Sequence, residues 1–112
     1  MKLLIADDNK RMRSMLKTVV RDVADEVVEC DDGNEAVELY GSVRPDYVLM
    51  DIQMKKMDGI TATKMIRKSF PTAKVIIVSN FSDQKFRFAA GVAGVSGFVP
   101  KENLLEVLKF VI

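Results

Sequence analysis

The stretch Tyr47-Val48-Leu49-Met50-Asp51 is a short apolar run that ends on a carboxylate. A continuous apolar run of this length, followed by a helix-like segment, is typical of a strand buried on both faces of a parallel sheet. Three similar runs occur near residues 3, 75 and 98, and each of them also ends on a reactive side chain. The side chains that end the four runs are Asp7 and Asp8, Asp51, Ser79, and Lys101.

Five strand-like runs alternate with five helix-like stretches along the chain. This alternation predicts an α/β fold with a doubly wound parallel sheet. We expect five strands in the flavodoxin-like order 2-1-3-4-5, with helices on both faces of the sheet. Because 112 residues are enough for one hydrophobic core, residues 1–112 are expected to form a single domain.

The helices are predicted from apolar spacing and from capping residues. Asp32 and Glu35 have the spacing of a capping box, which opens a helix running through Tyr40. Asp58-Gly59 opens the next helix, and Gly91, Gly94 and Gly97 are expected to end the fourth helix and lead into the last strand. The predicted inward faces are Met12, Met15, Leu16, Val19, Val20 and Val23 in the first helix, Ala62, Met65, Ile66 and Phe70 in the third, and Leu104, Val107, Leu108 and Val111 in the last.

The composition argues against several classes of protein. Seventeen basic and sixteen acidic residues nearly cancel, which argues against a surface for nucleic acid or for anionic membranes. No apolar stretch approaches the roughly 18 residues of a membrane span, and the run before Asp7 is too short for a signal peptide. With no histidine and a single cysteine, neither a zinc site nor an internal disulfide is expected. We therefore expect a cytoplasmic protein.

The reactive side chains at the strand ends predict a binding crevice. In an open parallel sheet, ligands bind outside the carboxyl ends of the strands, where the strand order reverses. Two like charges about 4 Å apart repel by roughly 4 kcal/mol at an effective dielectric near 20, so three carboxylates against Lys101 favour a hard cation such as Mg²⁺. With the cation and Lys101 reducing this repulsion, the Asp51 carboxylate can attack a phosphorus atom, and no general base is required.

Taken one at a time, these residues also have ordinary structural explanations. Asp7 or Asp8 can cap the first helix, Lys101 can be a solvated lysine, and Ser79 can be a loop serine. Independent roles of that kind do not explain why all four strand ends carry reactive groups. A second acidic pair, Asp31-Asp32, is a control, since it is expected about 10 Å from the end of the third strand. We expect a helix cap at this second pair and a metal site at the first.

In combination, the motifs resemble the receiver domain of bacterial two-component response regulators. The resemblance covers essentially the whole chain. The motifs that carry it are Ala6-Asp7-Asp8, Met50-Asp51-Ile52-Gln53-Met54 with Met57-Asp58-Gly59, Val78-Ser79-Asn80, and Gly97-Phe98-Val99-Pro100-Lys101. The chain departs from the usual family pattern at Lys55-Lys56, where a proline is common, and at Lys101, where the proline precedes the lysine instead of following it.

The resemblance implies a signalling switch rather than an enzyme, with Mg²⁺ as its cofactor. A sensor histidine kinase would supply the phosphoryl group, and an output domain or a downstream protein would receive the signal, with a possible homodimer on phosphorylation. The fourth helix, the fifth strand and the fifth helix would present the changed surface. The implied roles are the phosphoacceptor for Asp51, direct metal ligands for Asp8, Asp51 and the backbone carbonyl of Gln53, a water-mediated metal contact for Asp7, phosphoryl pairing for Lys101, and the switch pair for Ser79 and Phe98.

Other functions are weighed against this interpretation. A phosphatase of the haloacid dehalogenase type also uses an aspartate nucleophile and Mg²⁺, but it needs a second acid where this chain has Gln53. A degenerate receiver used only for protein binding is disfavoured by the complete set of reactive residues. The apolar pattern that still runs at residues 110–112 favours a domain of a longer regulator with a helix-turn-helix output domain. A stand-alone receiver, acting in a phosphorelay or by protein contact, is the alternative.

Overall fold

The computed structural model describes residues 1–81 and 83–111 of the chain. It contains one five-stranded sheet in the order β2-β1-β3-β4-β5, in which all neighbouring strands are parallel. This confirms the predicted fold class and strand order. The strands are β1 (Lys2–Ala6), β2 (Glu26–Cys30), β3 (Tyr47–Met50), β4 (Val75–Ser79) and β5 (Gly97–Pro100).

Helices connect the strands and cover both faces of the sheet. The last strand is followed by a 3₁₀ helix, Lys101–Val107, which leads into a short α-helix. The α-helices are α1 (Lys10–Val19), α2 (Gly33–Val43), α3 (Gly59–Ser69), α4 (Gln84–Ala93) and α5 (Leu108–Val111). Among the described residues, no helix is both long and apolar enough to cross a bilayer.

The sheet separates two hydrophobic clusters, because successive side chains along a strand point to opposite faces. Leu3 and Ile5 of β1 belong to the cluster that includes α1 and the C-terminal helices. Leu4 and Ala6 belong to the other cluster, which includes residues of α2, α3 and α4. Both faces of β1 are therefore buried, which explains why its sequence is continuously apolar rather than alternating.

Several predicted helix features differ from the structure. Met15 and Met65, predicted to face inward, are each 45% exposed. Each lies one residue before a fully buried position, so it is turned about 100° away from the centre of the packing face. Helix α2 runs to Val43 rather than ending at Tyr40, and Arg44 ends it in the left-handed conformation with φ of 51°.

The C-terminal helix differs from its prediction in type rather than in its buried face. Val107 and Val111 are fully buried, as the apolar spacing predicts. Asn103, however, has non-helical backbone angles (φ −129°, ψ 55°), and the segment forms 3₁₀ turns before the α-helix begins at Leu108. An asparagine side chain competes with the helix for backbone hydrogen bonds, which favours such an interruption. Before β5, Gly94 ends α4 with φ of 88°, as predicted. Gly91, predicted to help end this helix, lies inside it instead, and Gly97 is the first residue of β5.

Candidate functional site

The carboxyl ends of β1 and β3 bring three aspartates together. Ala6 pairs with Met50 in the register of these two strands, so Asp7 and Asp51 follow at adjacent positions. The Asp51 amide donates to the Ala6 carbonyl at 2.9 Å. One carboxylate oxygen from each of Asp7, Asp8 and Asp51 lies within 4.8 Å of the others. The sequence prediction that these carboxylates meet is therefore confirmed.

Lys101 reaches the same cluster from the end of β5. Its ammonium nitrogen lies 3.1 Å from Asp7 Oδ2 and 3.4 Å from Asp51 Oδ2. The Lys101 side chain is only 10% exposed, so the alternative of a solvated lysine is wrong. Within the described chain, this ammonium group contacts two of the three carboxylates, and the cluster keeps a surplus of negative charge.

Burial of Asp51 changes its acidity. The loss of solvent around the buried carboxyl raises its pKa to about 6, and the nearby negative charge of Asp7 acts in the same direction. The positive charge of Lys101 and a hydrogen bond from the Ile52 amide, 2.9 Å from Asp51 Oδ1, oppose this shift. Lys101 therefore compensates only part of the cost of the buried negative charge.

Asp7 is almost fully buried, and its two carboxylate oxygens have different surroundings. Oδ1 accepts a hydrogen bond from the Asn9 amide at 2.8 Å. Within the described part of the chain, nothing donates a hydrogen bond to Oδ2, whose close contact is the ion pair with Lys101. A buried carboxylate oxygen without a hydrogen bond is unfavourable unless another group satisfies it, which suits a metal-bound water beside it.

The alternative in which an aspartate of this pair caps the first helix is wrong. Asn9 is the N-cap of α1, and its side chain accepts a hydrogen bond from the Met12 amide at 3.0 Å. Asp7 and Asp8 are therefore left outside the helix. Asp8 is exposed, next to the buried Asp7, and its carboxylate is directed to the cluster.

A cleft of about 280 Å³ opens over the cluster. Gln53 and Phe81 line it beside Asp51. Sequence analysis missed Asn9 and Asn80 as lining residues, although both directly follow residues that it selected. Among the described residues, the lining consists of Asp8, Asn9, Asp51, Gln53, Asn80, Phe81 and Lys101.

Ser79 and Phe98 lie close to this region but are not among the described residues that line the cleft. Ser79 is fully buried at the end of β4, and its hydroxyl oxygen accepts a hydrogen bond from the Phe81 amide at 2.9 Å. Phe98 is half-buried in β5, with the Arg87 guanidinium carbon 4.6 Å from the centre of its ring. The Ser79 hydroxyl thus contacts the backbone of a cleft residue, and Phe98 contacts α4 through Arg87.

Gly59 allows the start of α3 to approach Asp51. A β-carbon at position 59 would lie 1.8 Å from the main-chain oxygen of Asp51, so no larger residue fits without movement of the backbone. The Gly59 amide donates to the Ile52 carbonyl at 2.7 Å, and Asp58 caps the helix through the amides of Ile60 and Thr61. This packing holds the segment that follows Asp51 against the end of β3.

A second group of acidic side chains, Asp31, Asp32 and Glu35, also has the spacing of a metal site. It lies at the end of β2, on the edge of the sheet and two strands away from β3. The Asp32 side chain caps α2 by accepting a hydrogen bond from the Glu35 amide at 2.8 Å. The predicted capping role is therefore confirmed for Asp32 of this second pair.

Comparison with known proteins identifies the family of this chain. The family model described as response regulator receiver domain matches residues 3–112. Chemotaxis protein CheY of Listeria monocytogenes is 41% identical over 114 residues, and the alignment covers 97% of this chain and 96% of that protein. A transcriptional regulatory protein of Bacillus subtilis, YhcZ, is 36% identical over 110 residues that cover 96% of this chain and 51% of that protein.

The fold comparison agrees with the sequence comparison. The CheX-CheY-BeF3-Mg²⁺ complex from Borrelia burgdorferi contains a chain that matches this structure with a TM-score of 0.88. The two are 28% identical in sequence, and the match covers 99% of this chain and 86% of that one. The chain belongs to the response regulator receiver domain family of two-component signalling.

Proposed function

We propose that this domain is a phosphorylation-dependent switch, in which Asp51 accepts a phosphoryl group from a sensor histidine kinase. The observation that carries the proposal is the cluster of Asp7, Asp51 and Lys101 at the ends of β1, β3 and β5, in which Asp51 and Lys101 line a cleft together with Asp8. The domain would act as a signalling protein rather than as an enzyme with turnover, and nothing in its charge balance favours direct contact with nucleic acid or membranes.

The proposed cofactor is Mg²⁺, and the residues of the cluster fit it. The surplus negative charge, the oxygen ligands and the buried Asp7 Oδ2 without a hydrogen bond all suit a hard cation that keeps some of its waters. Asp8, Asp51 and the backbone carbonyl of Gln53 would bind it directly, and Asp7 would contact it through water. Bound there, the ion would neutralise charge on the transferred phosphoryl group.

The proposed reaction needs Asp51 in its ionised form. Its carboxylate oxygen forms a bond to phosphorus while the bond from phosphorus to the donor nitrogen breaks, and that nitrogen keeps the electron pair. Since the pKa of Asp51 is raised only to about 6, the carboxylate is largely ionised at neutral pH even before a cation is bound. Lys101, already in contact with Asp51, would pair with the phosphoryl oxygens.

Ser79 and Phe98 are proposed to transmit the change to the surface of α4, β5 and α5. The Ser79 hydroxyl now accepts from the Phe81 amide, and turning toward a phosphoryl oxygen would release that amide at the start of the connection to α4. Phe98 would then move into the vacated space, which would disturb its contact with Arg87. Ser79→Ala should be phosphorylated normally and lose most of the amide shifts in α4. Full shifts in that variant would contradict the relay.

The partner and the output are proposed from the relatives. One relative is a chemotaxis protein that the alignment covers almost completely, and another is a transcriptional regulator about twice as long as the aligned segment. The receiver would act on an output domain or on a separate protein, directly or within a phosphorelay. A homodimer formed on phosphorylation is a further proposed state, which size-exclusion chromatography of the labelled protein would detect.

Intact-mass measurement after incubation with acetyl phosphate and Mg²⁺ tests the proposal. Wild-type protein should gain one phosphoryl group, and Asp51→Ala should gain none. Asp31→Ala, which removes an aspartate from the second acidic group, is the matched control and should be labelled like wild type. Labelling of Asp51→Ala at the wild-type rate would exclude Asp51 as the acceptor. Repeated turnover of a small phosphate monoester would instead indicate a phosphatase.

A further inference from the structure

Arg13 connects α1 to the acid pair through the main chain. Its Nη1 atom donates to the main-chain carbonyl of Asp7 at 2.7 Å, and its Nε atom donates to Glu29 Oε1 at 3.0 Å. The Arg13 side chain is only 15% exposed. A planar guanidinium with two such contacts is held in one orientation, because its donors have fixed relative directions.

The carbonyl that Arg13 contacts belongs to the peptide that joins Asp7 to Asp8. Among the described residues, Arg13 is the one whose side chain donates to this oxygen. The Asp7 amide donates to the Cys30 carbonyl at 3.1 Å, so the backbone at Asp7 is held on both sides. Within the described ranges, the exposed Asp8 side chain makes no hydrogen bond or ion pair. The direction of its carboxylate therefore depends on the peptide that Arg13 holds.

Glu29 of β2 keeps Arg13 in place from the other side. Its second carboxylate oxygen accepts from Lys17 at 2.9 Å, so one carboxylate bridges two cations of α1. Lys17 is 44% exposed, and its recorded contact is with Glu29 rather than with the acid pair. Arg13 and Lys17 thus lie one turn apart on the same helix and share a partner, but only Arg13 touches the backbone of the site.

We propose that Arg13 is a positioning residue for Mg²⁺, which fixes the Asp7-Asp8 peptide so that the Asp8 carboxylate is directed toward the Asp51 side of the cleft. This inference rests on the proposed function of the acid cluster as the magnesium site. Groups that hydrogen-bond to metal ligands orient those ligands and so raise the affinity for the metal. Arg13 would orient the Asp8 ligand indirectly, through its hydrogen bond to the main-chain carbonyl of Asp7. Arg13 itself would not contact the ion.

The sign of the effect separates positioning from simple electrostatics. Arg13 is positively charged and close to the cluster, so removing its charge alone should strengthen the binding of a divalent cation. If Arg13 positions Asp8, removing it should weaken that binding instead. The loss of a group that orients a metal ligand commonly weakens affinity about tenfold or more, which exceeds the opposing effect of one partly solvated charge.

Titration calorimetry with Mg²⁺ tests this inference on three variants and wild type. Arg13→Met keeps the length of the apolar stem and should raise the Kd about tenfold. Lys17→Met removes the same charge from the same helix and breaks its contact with Glu29, and its Kd should stay within twofold of wild type or fall. Arg13→Lys restores the charge and one donor, and it should bind with intermediate affinity.

Circular dichroism and thermal unfolding show whether each variant is folded at the temperature of the titration. A variant that is folded but less stable should still bind Mg²⁺ with wild-type affinity unless positioning of Asp8 is lost. Folded Arg13→Met that binds Mg²⁺ as tightly as wild type, or more tightly, would overturn the inference. If Arg13→Met does not fold, Arg13→Lys takes over the test, and wild-type affinity in that variant would overturn it. Absence of Mg²⁺ binding in wild type would instead contradict the proposed function.

Discussion

Two groups of acidic side chains stand at the ends of neighbouring strands, and they differ in how their charges are satisfied. In the first, Asp7 and Asp51 are buried, and Asp7 Oδ2 lacks a hydrogen bond in the described structure. In the second, only Asp32 is buried, and its carboxylate caps α2 through the Glu35 amide. Both groups have the spacing of a metal site, so spacing alone does not distinguish them.

The nearest cations show the same difference. Lys101, with a side chain 10% exposed, lies within 3.4 Å of both buried aspartates of the first group. Beside the second group, Lys56 is 69% exposed and 4.0 Å from Asp32. A largely shielded lysine that contacts more than one carboxylate indicates a site arranged for an anionic group and a cation together. An N-cap with a solvated lysine nearby indicates a helix terminus.

The largest effect is expected at Asp51 in the absence of metal. The pKa of Asp51 is raised to about 6 in the folded protein, whereas it is about 3.9 in the unfolded chain. Between about pH 4 and about pH 6, Asp51 binds a proton more strongly in the folded than in the unfolded protein. The contribution of protonated Asp51 to the free energy of unfolding is therefore lost as the pH rises from about 4 to about 6. Asp51→Asn should therefore be more stable than wild type at pH 7 in EDTA, by about 2 to 3 kcal/mol.

Urea unfolding of wild type and Asp51→Asn in EDTA, between pH 4 and pH 7.5, measures this effect. The two proteins should be similar in stability near pH 4 and diverge as the pH rises. Asp31→Asn is the control from the second group. Because Asp31 is exposed, that variant should stay within about 0.5 kcal/mol of wild type. If the free energies of unfolding of wild type and Asp51→Asn change with pH in the same way, burial of the Asp51 carboxylate does not destabilise the metal-free protein.

The next effect is on metal affinity. Asp8→Ala removes a proposed direct ligand, and the Kd for Mg²⁺ should rise about tenfold or more. Asp31→Ala removes the same charge from the second group, about 10 Å laterally from the end of β3, and should change the Kd less than twofold. Calorimetric titration of both variants makes the comparison. Equal losses in the two variants would indicate a general charge effect rather than a defined ligand.

A smaller effect is expected when the cap of the second group is removed. Asp32→Ala leaves the Glu35 amide without its side-chain acceptor and should lower the free energy of unfolding by about 1 kcal/mol. Since this residue serves the helix rather than the metal, Mg²⁺ affinity should be nearly unchanged. Thermal unfolding and a Mg²⁺ titration on the same preparation test both statements. If Asp32→Ala lost most of its Mg²⁺ affinity and kept its stability, Asp32 would be a metal ligand rather than a helix cap.

The smallest effect concerns the lifetime of the phosphorylated state. Phe81 lines the cleft and is 38% exposed, and its ring also packs against Phe86 of α4 at 5.3 Å between centroids. We expect an apolar ring at this position to hinder the water that hydrolyses the acyl phosphate, so that the signal lasts minutes or longer. Phe81→Ala should decay severalfold faster.

Phe88→Ala is the control for that measurement, since Phe88 is 73% exposed on α4 and is not one of the residues that line the cleft. Its decay rate, followed by intact mass after removal of acetyl phosphate, should match wild type. An unchanged rate in Phe81→Ala would mean that the ring only packs on α4 and leaves the path of water open.

Most of the fold could be predicted from the sequence, because the strands depend on short-range apolar patterns. The run at Val75–Ser79 is buried on both faces, and its composition alone indicates a central parallel strand. Details that depend on tertiary packing could not be predicted. Met15 and Met65 have the spacing of inward residues, but the width of each helix contact decides whether a flanking methionine is covered. The interruption at Asn103 likewise depends on local backbone competition.

The site could be predicted in part for a related reason. Parallel strands bring their carboxyl ends to one edge, so the meeting of Asp7, Asp51 and Lys101 follows from their positions after the strands. Hydrogen bonds that involve main-chain atoms could not be predicted in this way, because no sequence pattern indicates them. The hydrogen bond from Arg13 to the Asp7 carbonyl links a helix to a strand end, and the bond from the Phe81 amide to Ser79 depends on the turn between them.

Paramagnetic broadening by Mn²⁺ tests most directly which acidic group holds the cation. Mn²⁺ prefers the same oxygen ligands as Mg²⁺, and it broadens the amide signals of nearby residues. At substoichiometric Mn²⁺, a ¹H–¹⁵N spectrum should lose the amides around Asp8, Asp51 and Lys101 first, and excess Mg²⁺ should restore them. Amides of residues 31–35, which lie on the neighbouring strand end and further from Asp51, should lose intensity later. Earlier loss of residues 31–35, with the Asp51 region intact, would contradict the assignment of the metal site to the first group.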